Sequence, residues 1–279
     1  MGSNLNVFWA NIVKGFFKKF SSEGRDGSGF ERIAWLKEKQ IKHLDDFTEK
    51  SVSLAGNTIA YKKPYELLHT YKDIFVKEIY QFDADGKNPL IIDCGANIGF
   101  SVLYFKKKYP SAQIVAYEAD GGNFSLLEKN VAQNHLDNVT LLNKAVWVHD
   151  DGVRFNAKGT EASRIVDGAV SDADVVPSER LFHVLAAHPS IDFLKMDIEG
   201  AEYEVIKDCA ALLPNIKNMF IEYHGTVEET DKLTTLLDIF SKAGFKVYIK
   251  NAADFLQHPY VDKKVNSIYD VQLNIFCYK

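Results

Sequence analysis

The sequence predicts an α/β fold built on an open, mostly parallel sheet, and three observations carry that expectation. The first is the stretch Leu90-Ile91-Ile92-Asp93-Cys94-Gly95-Ala96-Asn97-Ile98-Gly99, a short apolar run, a carboxylate and alternating small residues, followed by a helical pattern over residues 100–109. That succession reads as a buried parallel strand, a tight turn and a helix. The second is its repetition: apolar runs ending in an acid recur at residues 114–118 and 191–197, each followed by a helical pattern. The third is size, because 279 residues hold one sizeable α/β core with an extension, whereas two full domains would be crowded.

Sheets of this kind bind ligands at the carboxyl ends of their strands, where glycine lets backbone approach without a Cβ in the way. The spacing Gly95-x-Asn97-x-Gly99 is not the G-x-G-x-x-G of a dinucleotide site, and no Walker lysine follows. Asp93, ahead of the first glycine, would repel a diphosphate but suits a ligand carrying an ammonium and a sulfonium. Glu118 ends the second strand and is placed for a ribose diol. Two acids at neighbouring strand tips therefore point to S-adenosylmethionine, one near its amino acid end and one on its ribose.

Composition narrows the setting. A net charge of −5 argues against a general nucleic-acid binder, which needs a basic face to neutralise phosphates. Cys94, Cys209 and Cys277 form neither a zinc pattern nor a disulfide framework, so a reducing, cytoplasmic compartment is expected. Cys94, inside the glycine turn, reads as a small buried residue and not as a nucleophile.

Near the start, Leu5, Phe8, Trp9, Ile12, Val13, Phe16, Phe17 and Phe20 trace an apolar helical stripe, with Asn11, Lys14, Lys18 and Lys19 elsewhere. The stripe is too short and too broken to span a bilayer. It also lacks the charge order and cleavage site of a signal peptide. Two readings stay open: packing on the body or on a second subunit of a homodimer, which is favoured, and a peripheral helix lying in a membrane surface. Residues 21–29 read as a linker and residues 30–44 as a helix. A small hairpin follows, with strands at 52–54 and 58–61 around Ala55-Gly56-Asn57. Pro64 opens a helix whose apolar face is Leu67, Leu68, Tyr71, Ile74, Phe75 and Ile79. The organisation expected is an N-terminal extension over residues 1–88 and a ligand-binding domain over 89–279.

Within that domain the helix over 100–109 stops before Pro110. Strands are expected at 113–117 and 139–142, with a helix over 123–134 between them. Ala145-Val146-Trp147 continues extended; Asp150-Asp151-Gly152 is a turn from which residues 153–155 return as a hairpin. Residues 159–174 form a loop that either offers Ser163 or Arg164 to a substrate or is a plain connector. A strand over 191–197 leads to a helix starting at Gly200, then a strand over 218–223. Alternation along that strand puts Glu222 and His224 on one side, near Asp197 if the two strands are neighbours. A helix over 228–243 and strands at 246–249 and 272–278 complete the chain.

Three ordered blocks now become informative together: residues 92–99; Glu118 with Asn123 and Asn130; and Leu194-Lys195-Met196-Asp197-Ile198-Glu199-Gly200-Ala201-Glu202. They resemble the signature blocks of FkbM-type S-adenosylmethionine-dependent methyltransferases, over roughly the last two thirds of the chain. Ala119 is a departure, standing where a proline often follows the acid. The resemblance implies a class I methyltransferase fold, a Rossmann-like, seven-stranded, mostly parallel sheet flanked by helices, with the last strand antiparallel. It implies cofactor contacts at Asp93, Gly95, Ala96, Asn97, Glu118, Ala119, Asn123, Ala145 and Asp197, the segment at Ala145 resembling the place where backbone meets adenine. Methylation of a sugar, glycan or natural-product hydroxyl is the activity it implies. Methylation of nitrogen, or a silent cofactor-binding interaction module, are the alternatives.

Transfer of a methyl needs an aligned nucleophile and usually a base for its proton. His224 is the candidate base because an unperturbed imidazole titrates near neutrality. Asp197 would orient the attacking hydroxyl, hold the cofactor's ammonium, or share a divalent cation with Glu222 and His224. Magnesium keeps its waters and prefers oxygen, so metal-free catalysis by Asp197, Glu222 and His224 is the preferred reading. Glu199 and Glu202 have a bland reading as carboxylates at a helix N-terminus, and Lys195 as half of an ion pair.

Overall fold

The computed structural model describes residue 30 and residues 32–156, 164–165, 174–256, 258–261 and 268–279. The apolar stripe at 5–20, the linker at 21–29 and Ser163 lie outside the described residues. These form two compact units, one ending at Ile79 and one beginning at Tyr80. No described helix is long and apolar enough to cross a membrane.

The first unit contains α1 (Trp35–Lys42), the hairpin β1 (Lys50–Leu54) and β2 (Asn57–Tyr61), and α2 (Pro64–Tyr71). Leu54 pairs with Asn57 across a turn in which Ala55 and Gly56 both take positive φ, 51° and 74°. Such a turn matches the twist of the strands it joins. Pro64 sits in the first turn of α2, as its fixed φ favours. The expected continuous helix to Ile79 instead widens into a π turn over Lys72–Val76, where the Lys77 amide bonds the Lys72 carbonyl. Tyr71 stacks on Phe75, with 5.1 Å between ring centroids.

In chain order the second unit runs β3 (Leu90–Cys94), α3 (Phe100–Lys108), β4 (Gln113–Tyr117), α4 (Gly121–Gln133) and β5 (Val139–Leu142). Next come β6 (Ala145–Trp147), β7 (Val153–Asn156), β8 (Arg164–Ile165), β9 (Asp174–Val176), β10 (Ser178–Arg180) and α5 (Leu181–Ala187). The chain ends with β11 (Ile191–Met196), α6 (Glu202–Cys209), β12 (Ile216–Gly225), α7 (Thr230–Lys242), β13 (Lys246–Asn251) and β14 (Val271–Tyr278). The main sheet has seven strands in the order β13-β14-β12-β11-β3-β4-β5, and only β14 runs antiparallel to its neighbours. This is the seven-stranded, mostly parallel sheet with a reversed last strand that the resemblance implies. From β3 the chain winds outward through β4 and β5, then returns to the other side at β11, so β3 and β11 flank the switch point where such sheets open a ligand crevice.

Two local expectations change. Residues 153–155 do not fold back on 145–147: β7 pairs with β8 and β9, while β6 pairs in parallel with β10. Side chains account for the detour, since Asp150 Oδ1 accepts from the Arg180 amide at 2.7 Å and the Ser178 hydroxyl donates to the His149 carbonyl at 2.7 Å. The helix expected from residue 123 begins at Gly121, because the Asp120 side chain caps it by accepting the Asn123 amide at 2.8 Å.

Strand alternation gives the sheet two different faces. Ile92, Cys94, Leu194, Met196, Ile221, Tyr223, Ile275 and Cys277 pack with Val205, Ile206, Leu236 and Phe240 of α6 and α7 on one. On the other, Phe193 and Phe220 meet Phe82, Phe105 and Tyr80, with centroids 4.9 Å apart for Phe82 and Phe193 and 4.8 Å for Tyr80 and Phe220. Two residues further along the same strands on this face stand Lys195 and Glu222, so the aromatic layer is the floor beneath a polar rim. Phe193→Ala should therefore destabilise the protein by about 3–5 kcal/mol. Chemical denaturation checks this, and a loss under about 1 kcal/mol would mean the aromatic layer does not support the sheet.

Candidate active site

The turn after β3 is held left-handed at three places: Gly95 (φ 87°), Asn97 (φ 50°) and Gly99 (φ 94°). A Cβ at Gly95 would run into the Asp197 carbonyl, so only glycine lets the turn lie against the end of β11. The Gly95 and Ala96 amides both donate to the Tyr117 carbonyl, at 3.0 and 2.8 Å. Glu118 continues the tie: its Oε2 accepts from the Asn97 amide at 2.7 Å and its Oε1 from the Asp120 amide at 2.9 Å. Burial pushes the Glu118 carboxyl up to about 7, against the two amides that hold it down. Asn130 donates to the Ile98 carbonyl at 2.8 Å, and Asn143 to the carbonyls of Glu118 at 2.8 Å and Ala119 at 3.3 Å. The Ala145 amide bonds the Pro177 carbonyl at 2.8 Å. Asn123, expected as a cofactor contact, spends its amide on the helix cap.

Asp93 is fully buried beneath this turn. Ser101 donates its hydroxyl to Oδ2, and Lys195 Nζ stands 3.3 Å from Oδ1. The same ammonium donates to the Gly95 carbonyl and lies 3.6 Å from Asp197 Oδ2. Burial alone would lower the Lys195 pKa, but Asp93 and Asp197 outweigh it and hold the group charged.

A second group of side chains lies beyond Asp197. The helix expected from Gly200 starts at Glu202, because Glu199 and Gly200 both take left-handed φ, 54° and 96°. A Cβ at Gly200 would strike Tyr269, whose hydroxyl donates to the Glu199 carbonyl at 2.5 Å. Glu202, fully buried, accepts from the Ile198 amide at 3.1 Å and the Gly200 amide at 3.1 Å through Oε2. Its Oε1 also stands 3.2 Å from His224 Nδ1. On the other ring nitrogen, Nε2, His224 faces Glu199 Oε2 at 3.6 Å, Glu222 Oε1 at 3.9 Å and the Gln272 side-chain amide at 3.1 Å. Gln272 donates to Glu222 Oε1 at 2.5 Å.

Asp197, Glu222 and His224 thus stand together, with three more participants that sequence reasoning did not assign. Glu199 and Glu202 fall in a turn where a helix dipole needs only one acid, and that excess of charge was the available signal. Gln272 becomes visible only through the antiparallel register that sets it opposite His224. One ligand atom each from Asp197, Glu199 and His224 lies within 4.8 Å of the others, so a cation placed here would meet Glu199 where Glu222 was expected.

The electrostatics change the role expected of the imidazole. Burial works to lower the His224 pKa, but the Glu202 carboxylate, then Glu199 and Asp197, raise it to about 10. Burial, then Asp197, pushes Glu199 up to about 8 and Glu222 up to about 7, while His224 pulls both down. The neighbouring carboxyls of Glu202, Glu199 and Asp197 therefore favour the charged ring over the neutral one that an ordinary imidazole pKa would give. All three folded values lie above the unfolded ones, so the associated stability is complete at low pH and is lost as pH rises through about 7, 8 and 10. An NMR titration should find the His224 ring charged at pH 8, and Glu202→Gln should move its midpoint down. A native midpoint near 6.5 would remove the assignment.

The methyltransferase FkbM domain family matches residues 93–247. Methyltransferase sdnD of Sordaria araneosa is 31% identical over 175 residues, covering 49% of this chain and 66% of that protein. Methyltransferase 1 of Beauveria bassiana is 26% identical over 193 residues, covering 61% of this chain and 74% of that protein. Among solved structures, the FkbM methyltransferase of Methylobacillus flagellatus matches with a TM-score of 0.44 at 14% identity, covering 70% of this chain and 45% of that one. The chain thus spans just under two thirds of the Sordaria relative and less than half of the Methylobacillus chain. The family match runs from the acid at the glycine turn to the start of β13, more than half of the sequence, and the chain belongs to the FkbM methyltransferase domain family.

Proposed function

We propose that this chain methylates an oxygen of a sugar, glycan or natural-product acceptor, using S-adenosylmethionine. The observation that carries the reading is the set of acids at three strand ends around the switch point, Asp93, Glu118 and Asp197, beside a group of carboxylates whose pKa values are raised towards neutrality. The cofactor fits the turn: Gly95, Ala96 and Asn97 leave backbone and no bulky side chain, and Glu118 can accept ribose hydroxyls on lone pairs that its two amides do not use. When bound, S-adenosylmethionine supplies a methyl made electrophilic by its sulfonium.

The protein's part is to hold the ligands, orient the acceptor and remove a proton. Glu118 and the glycine turn take the nucleoside end, with Ala119, Asn123 and Ala145 around it, the amides of Asn123 and Ala145 being already bonded within the protein. Asp197 takes the ammonium. An acceptor hydroxyl that takes the methyl would give up its proton to a carboxylate of this group. Glu222, at about 7, is the group matched to that task at neutral pH. The positive charge favoured on His224 opposes the upward shift of Glu222 and Glu199 and so draws both towards the carboxylate form. Metal-free chemistry is preferred, because a cation at His224 Nε2 would have to displace both the Gln272 side chain 3.1 Å away and the proton favoured on the ring. Nitrogen methylation is the second reading, favoured by the partly exposed carboxylates of Asp197, Glu199 and Glu222, which suit an ammonium-bearing acceptor. Cytoplasmic location accords with the three buried free cysteines.

Calorimetry should detect S-adenosylhomocysteine binding to the wild type, with weaker binding by Glu118→Gln; native affinity in that variant would remove its role. On an acceptor panel, Glu222→Gln should lower turnover by about 10²–10⁴-fold with a smaller change in cofactor affinity. The wild-type rate should rise as pH passes about 7 and be unchanged by chelator. Chelator-sensitive turnover would instead place a divalent ion on Asp197, Glu199 and His224, and binding without turnover of any acceptor would favour an interaction module.

A further inference from the structure

Resting on that cofactor reading, we propose that Lys195 is a positioning residue: it consigns Asp93 to the protein and presents Asp197 to the ammonium of the cofactor's amino acid end. A buried ammonium within an apolar strand costs several kcal/mol unless well paired. Here it joins three separate pieces of backbone: the end of β3 through Asp93, the glycine turn through the Gly95 carbonyl, and the residue after β11 through Asp197.

The two acids are left in different states. Asp93 is fully buried and directs one oxygen at Lys195 and the other at the Ser101 hydroxyl, so neither faces a ligand. Asp197 keeps about a quarter of its side chain exposed and meets Lys195 only through Oδ2. Its Oδ1 enters no hydrogen bond or ion pair among the described residues. Two carboxylates and one ammonium leave a single negative charge, carried at the crevice by Asp197, which matches one ligand ammonium. Asp93, the acid that heads the glycine turn, therefore acts on the cofactor through Lys195 and not by contact. The Gly95 carbonyl held by the same lysine fixes the turn against Asp197.

The test compares S-adenosylhomocysteine, which carries the amino acid end, with 5′-methylthioadenosine, which lacks it, by calorimetry on the full chain. Lys195→Met leaves Asp93 buried without a cationic partner, so the double variant Asp93→Asn with Lys195→Met is measured beside it. In the double variant the affinity for S-adenosylhomocysteine should fall about tenfold relative to that for 5′-methylthioadenosine. Asp197→Asn, with the lysine in place, should lower the same ratio by a similar factor. An unchanged ratio in a folded double variant makes the pair scaffold only, and an unchanged ratio in Asp197→Asn overturns the proposal even if the lysine variants do not fold. Failure of the wild type to bind either probe would instead bring down the cofactor reading.

Discussion

The parallel pairing of β3 with β11 is the constraint on which the site depends. It sets Lys195 opposite Asp93 and lets the Asp197 amide bond the Cys94 carbonyl at 3.0 Å, so the two strands end level. At that level the chain after β3 must turn away at once, and the Asp197 carbonyl occupies the space a side chain at Gly95 would need. Glycine there is a packing requirement first; the open approach it offers to a ligand follows from it. The pairing of β11 with β12 then carries the same level one strand further, to Glu222 and His224. Shifting either register by one residue would swap the polar rim into the aliphatic core.

Charge is the second organising quantity. Around this rim stand the carboxylates of Asp93, Asp197, Glu199, Glu202 and Glu222, against the two cations Lys195 and His224. Without a ligand the surplus is relieved by protons, which is why burial and neighbouring acids raise Glu199 and Glu222. A ligand carrying an ammonium and a sulfonium supplies the missing positive charge, so its binding and proton release from these groups are linked. A diphosphate would add to the surplus.

The sheet was legible because its strands are short apolar runs closed by acids or glycine, and because helices with clear apolar faces separate them. The seven strands, their acids and the reversed last strand were all expected, the last through family resemblance alone. The excursion of β7 through β9 was not, since its pairing is decided by Asp150 and Ser178 contacts with residues about thirty positions away. At the site, Asp93, Glu118, Asp197, Glu222 and His224 could be named from strand ends. Their charge states could not, because burial and the approach of Glu202 to His224 are tertiary facts. Lys195 was recognised as half of an ion pair, but its bond to the Gly95 carbonyl depends on how the turn lies.

The exchange of roles we propose between His224 and Glu222 follows from one asymmetry. Glu202 receives two backbone amides, is fully buried, and lies with its Oε1 3.2 Å from His224 Nδ1. That contact favours the protonated ring, which has no lone pair left to accept a further proton. Among the described residues Glu222 has no such anchoring amides: its hydrogen bond is from a neutral side chain, Gln272, and its side chain is partly exposed. It is the less strongly held of the two and the more accessible to a substrate. On the proposed reading, a positive charge on the histidine leaves proton transfer to the carboxylates, and a carboxylate lifted towards neutrality by burial serves that purpose as an ordinary imidazole would.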